Sequence, residues 1–579
     1  MRAPWWLLIL GLAACPSKER PPPPEATDAA SPASPAALSG AKALFREGMR
    51  GKKAGNRFAY IPPQCYTRTR DEAAGPVHNV CYPCHLASTP PNFTNDADLQ
   101  LTYRFPPRAA QNPWRNLFEP AVARSPRRPT DDEVLAYVRA GNYLDDRGAI
   151  ALAAKLAALP PEWDGEGDGH WNGFVPDAQF HFDDQGFDRH PDGTRTGWRA
   201  FAYAPFPGAF FPTNGSADDV LIRLDPALQE DAAGHSDLRI YTVNLAIVEA
   251  LVTRADVPIE PVDEREFGVD LDRDGVRGFA TRVAYDGDAQ GATRMGYVGR
   301  AAHEKDFPIA PGLFPLGTEF LHSVRYLDVG PDGAVAMALR MKELRYAKKT
   351  RWFSYDDLRA QAAREPLERF ESPDQAKDVL WELDRGVYNK QGWLFQGFIE
   401  DDAGALRPQT YEETVFCAGC HGGIGATTDS IFSFPRKLDA SAPARGWFHG
   451  SQHDLRGLPE PRRDSEFEYT LYLRETGGGD DLRGNTEVES SFFDGDHRLR
   501  PNRLSALHAN MAALLLPSPA RALDLDRAYW AVVREQSFTR GRDAVLAPAL
   551  RAYERAPRSE PTGVRAPIAG PSPIQSRAH

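Results

Sequence analysis

Four of the six cysteines fall into two short segments with identical spacing. Residues 81–85 and 417–421 both read C-x-x-C-H. Two thiols three positions apart can bond to the two vinyl groups of one porphyrin, and the imidazole that follows then lies under the iron. With six cysteines and 14 histidines in 579 residues, chance would supply only about 0.001 such segments. The pattern predicts two haem c groups attached through Cys81, Cys84, Cys417 and Cys420, with His85 and His421 as proximal iron ligands.

Two other kinds of site use Cys-x-x-Cys pairs. Two pairs can hold one Zn²⁺ in a tetrahedron of thiolates, but Cys417 follows Cys81 by 336 positions and each pair here precedes a His that zinc does not require. A thioredoxin-like redox motif needs the strand-to-helix junction of a βαβ unit, which neither segment shows. Haem attachment is the interpretation that uses all ten residues.

The second axial ligand of each iron decides its chemistry. A second His gives a low potential, Met raises it, and an open position permits catalysis. His449 and His453 are favoured for the second haem because they follow His421 by 28 and 32 positions in an aromatic, loop-like stretch. The candidates are His78 and Cys65 for the first haem, and His449, His453, His322 and Met511 for the second.

Cys65 has no cysteine left to pair with if the other cysteines carry lipid and haem. A free Cys is most often buried and inert. It can also ligate iron as a thiolate or act as a redox thiol. All three interpretations stay open from the sequence.

The N-terminus resembles a bacterial lipoprotein signal. Arg2 precedes a short apolar run, which ends in Leu12-Ala13-Ala14-Cys15. The run is too short to span a bilayer, and small residues precede the Cys as a cleavage site requires. Residues 1–15 are therefore predicted to be a lipoprotein signal peptide with Cys15 as the lipidated residue. Residues 16–40, rich in Pro, Ala and Ser, are predicted to be a linker.

Two acidic loops predict calcium binding. Residues 164–169 and 270–275 both read acidic-x-acidic-x-Asp-Gly, which suits a Ca²⁺ loop. Neither has an acid at the twelfth position, so Asp177, or Glu264 and Glu266, would have to close the shell; the alternative is two solvated turns. The candidate ligands are Asp164, Glu166, Asp168, Asp270, Asp272 and Asp274.

Composition along the chain predicts an α+β multidomain fold, in which mainly helical, cytochrome c-like haem regions at both ends flank a β- and loop-rich middle domain. The helix signals are a capping box at Thr130, apolar stripes in 355–370 and 374–383, and two stripes near the C-terminus. Strands are expected in 277–285 and 324–329. The predicted regions are an N-terminal haem c domain (41–159), the middle insert (160–345), a C-terminal haem c domain (346–556) and a disordered tail (557–579).

The ten motif residues resemble those of dihaem c-type cytochromes. The chain is more loosely similar to dihaem cytochrome c peroxidases, which also pair two haems with Ca²⁺, although the long gap and the large insert depart from that family. The resemblance implies electron transfer in a respiratory or periplasmic redox chain. The alternative is a haem oxidoreductase, peroxidase-like or oxidising thiols or sulfur compounds, in which one haem is catalytic.

Charge and anchoring define the expected partners. A net charge of −12 argues against nucleic acid and suits docking to a basic protein. We expect redox partner proteins as donor and acceptor, and attachment to a membrane through the lipid. The expected location is the cell envelope, facing the periplasm at the outer membrane.

Overall fold

The structure is a computed structural model that describes residues 58, 60–67, 81, 83–103, 105–208, 211–304, 307–372, 379–438, 446–463, 465–477, 484–558 and 560–562. Within them the strands are β1 (Phe187–Arg189), β2 (Arg195–Phe201), β3 (Ala217–Arg223), β4 (Val257–Asp263), β5 (Phe279–Val283), β6 (Glu319–Val329), β7 (Val335–Lys349), β8 (Trp381–Glu382), β9 (Gly386–Tyr388), β10 (Trp393–Glu400), β11 (Leu406–Pro408), β12 (Arg462–Arg463) and β13 (Glu466–Phe467).

The α-helices in the same residues are mostly short. They are α1 (Ala121–Arg124), α2 (Asp131–Arg139), α3 (Ala151–Ala157), α4 (Leu238–Thr253), α5 (Glu264–Phe267), α6 (Tyr355–Glu371), α7 (Tyr411–Val415), α8 (Cys417–Cys420), α9 (Ser433–Arg436), α10 (Glu468–Thr476), α11 (Thr486–Phe492), α12 (Pro501–Ala509), α13 (Ala512–Leu515) and α14 (Pro519–Glu535). Short 3₁₀ turns, such as Pro63–Tyr66 and Ala97–Gln100, lie on either side of the first cysteine segment in the sequence.

A nine-stranded antiparallel sheet forms the centre of the molecule. Its order is β1-β2-β3-β6-β7-β10-β9-β8, and β11 pairs with β10. The two longest strands, β6 and β7, lie side by side in the middle of this order. Strands β4 and β5 form a separate two-stranded ribbon, as do β12 and β13.

The two faces of the sheet have different neighbours. Side chains alternate between faces along a strand, so Phe320 and His322 of β6 share one face while Leu321 lies on the other. Leu321 packs with Leu344, Phe398 and residues near α3 in one core. Phe320 shares a core with the buried helix α4. We call the face that carries Phe320 and His322 the cavity face.

Further helices cover the remaining edges of the sheet. The long C-terminal helix α14 and the capped helix α2 pack on the ends of β6 and β7 in a shared core. Helices α10 to α13 bury a separate apolar cluster that includes Met511. Among the described residues no helix combines the length and the apolar character needed to cross a membrane.

The predicted fold class is wrong. Helices are not concentrated at the two ends: the described residues between 58 and 118 contain short turns and no α-helix, and the apolar helix α4 lies inside the region predicted to be β-rich. The sheet runs from residue 187 to residue 408, and β7 passes through the boundary predicted at 345/346. One sheet therefore joins segments that the sequence assigned to separate regions.

Composition explains this error. Strand β7 is rich in Ala, Leu, Met, Lys, Glu and Arg, which have high helix propensity, yet most of it is buried. Its charged residues interrupt the apolar alternation that normally marks a strand. Helix α4 is apolar on all sides, with β-branched residues, and looks like a buried strand when judged by composition. Tertiary burial outweighed local propensity in both elements.

Several local predictions are confirmed. Thr130 and Glu133 form a reciprocal capping box at the start of α2, and α6 begins within the stripe predicted from residue 355. The predicted strands contain β5 and the second half of β6. The helix predicted over 374–383 is wrong where it is described, because residues 381–382 form β8. The first of the two C-terminal stripes is not one continuous helix, because α12 ends at Ala509 and α13 begins at Ala512.

Glu400, at the end of β10, links four elements. Its side chain is fully buried and lies 2.6 Å from Arg340 Nη1 on β7. It accepts hydrogen bonds from the hydroxyls of Tyr137 on α2, at 2.5 Å, and Tyr326 on β6, at 2.6 Å. This network attaches α2 to the central strands.

We expect Glu400→Ala to lower the free energy of unfolding by about 3–5 kcal/mol, because it leaves the Arg340 charge buried without its partner. Urea denaturation measures the change. Asp496→Ala, which removes one partner of an exposed pair with Arg498, is the matched control and should have no measurable effect. Equal losses in the two variants would contradict this role of Glu400.

Candidate functional site

Both C-x-x-C-H segments adopt the same single helical turn. The amide of His85 donates to the Cys81 carbonyl at 2.9 Å, and the amide of His421 donates to the Cys417 carbonyl at 2.9 Å. In such a turn residues at i and i+3 lie on one face. The two thiols of each segment therefore lie side by side, with the imidazole one position further along.

The second segment is held by a buried ion pair. Thr410 and Glu413 form a capping box that starts α7, which leads directly into α8. The Glu413 carboxylate also accepts two hydrogen bonds from the Arg407 guanidinium of β11, at 2.8 and 2.9 Å. This bidentate contact ties the cysteine turn to the edge of the central sheet.

The two segments lie against each other although they are far apart in sequence. The Ala426 amide donates to the Cys84 carbonyl at 3.2 Å. A Cβ at Gly425 would lie 2.1 Å from the Leu86 carbonyl oxygen, and a Cβ at Gly419 would lie 1.9 Å from that of Tyr60. Only glycine permits these close backbone approaches. The fold therefore brings both cysteine pairs to one place.

One cavity of about 1920 Å³ contains both segments in its lining. Its floor is the cavity face of β3, β6, β7 and β10, and aromatic side chains such as Phe93, Phe105, Phe206 and Phe416 contribute to its walls. All four motif cysteines, Cys65 and three histidines line it: His85, His322 and His421. Single-cofactor pockets usually measure roughly 300–1,000 Å³, so this cavity has the volume for two.

A carboxylate orients His85. Its Nδ1 lies 2.9 Å from Oδ2 of Asp96, whose side chain is only 5% exposed. Because a carboxylate accepts, Nδ1 carries the hydrogen and Nε2 keeps its lone pair. Metal-ligating histidines commonly give their other nitrogen to such a partner. Asp96 was not identified from the sequence, because nothing in the spacing after His85 marks it.

A backbone carbonyl orients His421. Nδ1 donates to the Ser430 carbonyl at 2.6 Å, and the ring stacks on Phe395 at 4.8 Å between centroids. The pKa of His421 is lowered to about 4, mainly by burial, with smaller contributions from Arg345 and His322 and an opposing one from the Ser430 hydrogen bond. The imidazole is therefore neutral at pH 7, the form that binds a metal.

A strained loop presents that carbonyl. Asp429 and Ser430 have φ values of 48° and 63°, a left-handed conformation that is costly for residues other than glycine. The Asp429 carboxylate holds the loop by accepting from Lys349 Nζ at 2.6 Å and from the Phe314 amide at 3.0 Å. Lys349, at the end of β7, thus holds the loop whose Ser430 carbonyl accepts the hydrogen bond from His421.

The five thiols are half-buried in the cavity wall and do not form a metal cluster. Burial raises the pKa of Cys65 to about 12 and that of Cys420 to about 11, so both are uncharged at neutral pH. Among the described residues, no three cysteine or histidine ligand atoms lie within 4.8 Å of one another. This geometry does not favour the zinc alternative. Cys65 lies among the thiols as a half-buried, protonated group.

The structure separates the candidates for the second axial ligand. His322 lines the cavity. His449 is buried and lies 3.0 Å from Asp219 Oδ2 outside the cavity lining, while His453 is exposed and contacts Phe448. Met511 is buried in the C-terminal helical cluster. His78 and the predicted lipidation site, Cys15, lie outside the described residues.

The two acidic loops differ. In the first, Glu166 forms an ion pair with Arg385 at 2.7 Å, and Asp164 accepts backbone amides of its own turn. In the second, ligand oxygens of Asp270, Asp272 and Glu264 lie within 4.8 Å of one another. Glu264 is thus the residue positioned to complete the second loop, whereas Asp274 accepts the Val276 amide. Calcium binding remains a prediction.

Comparison with known proteins gives the family. A lipoprotein family model matches residues 49–503 of the chain. A protein of Aquifex aeolicus (strain VF5), described as an uncharacterized lipoprotein, is 31% identical over 546 residues, which cover 86% of this chain and 87% of that protein. No solved structure matches. The chain belongs to this lipoprotein family, and it is a membrane-anchored protein of the cell envelope.

The resemblance to dihaem c-type cytochromes, and the looser one to dihaem cytochrome c peroxidases, is wrong as a family assignment. The matching model is that of a lipoprotein family, and its range includes both C-x-x-C-H segments. The error has a physical origin, because five-residue segments encode an attachment chemistry and carry no information about the surrounding fold.

The second acidic loop yields a prediction. We expect calorimetric titration with Ca²⁺ to show binding with a dissociation constant of about 10⁻⁴–10⁻³ M, the range of extracellular modules. Asp272→Asn should weaken it, because it removes one carboxylate of the cluster. Asp168→Asn in the first loop is the control and should leave binding unchanged. Absence of binding, or equal loss in both variants, would contradict the assignment.

Proposed function

We propose that the protein is a lipid-anchored electron-transfer protein that carries two covalently attached haems in one cavity. Cys81 and Cys84 would hold one haem, Cys417 and Cys420 the other, with His85 and His421 as iron ligands. The observation that carries the proposal is that both segments form the same helical turn and line the same cavity. When bound, each haem would supply a one-electron Fe(III)/Fe(II) couple.

The cavity fits such a cofactor in its chemistry as well as its volume. Aromatic and aliphatic walls suit the faces of a porphyrin, and Arg351 on the lining suits its carboxylates. Both proximal candidates have Nδ1 engaged by an acceptor, which leaves Nε2 as the ligand atom. These features support haem over the zinc and redox-thiol alternatives.

The contact between the segments supports electron transfer within the molecule. The Ala426–Cys84 backbone hydrogen bond, at 3.2 Å, brings the two attachment turns together. Haems attached there would exchange electrons without a mobile carrier. One haem could then accept from a donor while the other delivers to an acceptor.

The lipid anchor and the net charge support a location at the membrane and docking to a redox partner. A lipid on Cys15 and the linker that follows would hold the folded part at the outer membrane, facing the periplasm. The net charge of −12 suits steering toward a basic redox partner.

Haem content tests the proposal. In a host able to attach haem c, the pyridine haemochrome assay should give two haems per chain, and the haem should resist extraction by acid acetone. Cys81→Ser with Cys84→Ser, or Cys417→Ser with Cys420→Ser, should each remove one haem, because the thioether partners are lost. Cys65→Ser is the matched control and should retain two. Pigment that is absent, or that washes out, would refute the proposal.

A second candidate function is a haem oxidoreductase with one catalytic iron. Three histidines in the described lining must serve four axial positions, and the lining contains no Met. Hydrogen bonding of His85 to Asp96 would make that imidazole a more electron-donating ligand. These two features favour a ligand position open to small molecules on the iron that His85 would hold.

For this candidate we expect cyanide to bind one of the two haems, seen as a partial Soret shift. Asp96→Asn should raise the potential of one haem, because the carboxylate no longer strengthens its ligand. Asp98→Asn, two positions along the same 3₁₀ turn, is the control and should leave the potential unchanged. If neither haem binds cyanide, both irons have two protein ligands and the carrier function stands alone.

A further inference from the structure

The cavity face carries a row of polar side chains in an otherwise apolar floor. His322 on β6 pairs across the ladder with Val220 of β3 and Arg345 of β7. The neighbouring polar residues of the same face are Asp218 and Glu343, and all four polar side chains line the cavity. Polar groups in a buried sheet face need a compensating partner. These four polar side chains therefore indicate that this part of the cavity floor has a function besides packing.

A buried carboxylate lies beside His322. The Nε2 atom of His322 lies 3.3 Å from Oδ2 of Asp218, whose side chain is only 2% exposed. Arg345, the cross-strand neighbour, is held separately by Glu343 at 2.9 Å. His322 thus lies on a strand of the central sheet, with a carboxylate next to its ring and the cavity beside it.

His322 and His421 belong to the same part of the cavity. His322, Arg345 and His421 all contribute to the lining of the cavity. Phe395 of β10, on which the His421 ring stacks, lies on the cavity face, two strands from β6. The two imidazoles therefore converge on one volume from the floor and from the second attachment turn.

The other histidines named for this role lie elsewhere. Asp219, the partner of His449, follows Asp218 on β3 and so lies on the opposite face of the sheet. His453 is exposed and outside the cavity lining. Among the described lining residues, His322 is the one imidazole besides His85 and His421.

We infer that His322 is the second axial ligand of the iron held by His421, and that Asp218 is its positioning residue. This inference rests on the proposed haem attachment. A metal-ligating His usually presents one nitrogen to the metal and the other to a carboxylate or carbonyl, and the His322–Asp218 pair reproduces this arrangement. Two imidazole ligands give a low-potential iron closed to small molecules.

Binding of carbon monoxide tests whether the iron held by His421 has two protein ligands. The reduced full-length protein with His322→Gly should bind one more CO per chain than the unmodified protein, and the corresponding haem should change from low to high spin. Added imidazole should enter the vacated space and restore the low-spin spectrum. His453→Gly is the matched control and should leave CO stoichiometry and spectrum unchanged. An unchanged CO count in His322→Gly would overturn the inference.

A second variant separates ligation from a structural role. His322→Met should keep the haem six-coordinate while raising the potential of that haem alone, because thioether ligation favours the reduced iron. Asp218→Asn should raise the same potential by a smaller amount while the iron stays low-spin. Unchanged potentials in both variants would count against His322 as a ligand.

The haem assay on the same samples separates the two proposals. Two haems per chain in the unmodified protein and in His322→Gly, without a gain in CO binding, would refute the ligand and leave the proposed function intact. Absence of covalent haem from the unmodified protein would refute both.

Discussion

The contact between the two cysteine turns is the constraint on which the rest of the structure depends. Backbone atoms of Cys84 and Ala426 are hydrogen-bonded, and Gly419 and Gly425 admit neighbouring carbonyls that any side chain would displace. Segments 336 positions apart can meet this closely only if the chain between them returns to its starting point. The sheet brings the chain back, since β10, which leads into the second segment, lies next to β7 and three strands from β3.

The two C-x-x-C-H segments could be located from the sequence, whereas the fold could not be predicted. C-x-x-C-H is a short, local spacing that can be recognised without knowledge of the fold, and haem attachment to both segments stays a prediction. The sheet depends on burial, which cannot be read from the sequence. Strand β7 can contain charged residues, and so has a helix-like composition, because these charges are paired inside the protein, as Lys349 is with Asp429. Helix α4 gave the opposite signal for the same reason, since a mostly buried helix has little amphipathic pattern.

The residues that support the site were missed because no spacing rule links them to it. Asp96 follows His85 by 11 positions, Ser430 follows His421 by nine, and Asp218 is far from either segment. Asp96 and Ser430 each act through one hydrogen bond, and the Asp218 carboxylate lies 3.3 Å from His322 Nε2; all three contacts depend on tertiary position. Among the proposed distal ligands, proximity in sequence favoured His449 and His453. The lining instead contains His322, which is separated from His421 by almost a hundred residues and meets it only across the sheet.

Strand β3 contributes to two Asp–His pairs that have different roles. Asp218 and Asp219 are consecutive, so they point to opposite faces and each meets one histidine. On the far face burial raises the pKa of Asp219 to about 7 and lowers that of His449 well below its usual value, so both groups favour their uncharged forms. Asp219 Oδ2 and His449 Nε2 lie 3.0 Å apart, and the His449 ring packs against Phe180 and Phe182, so this pair contributes to packing. On the cavity face the same chemistry borders a volume that can admit a cofactor, and there the carboxylate can tune an imidazole for a metal.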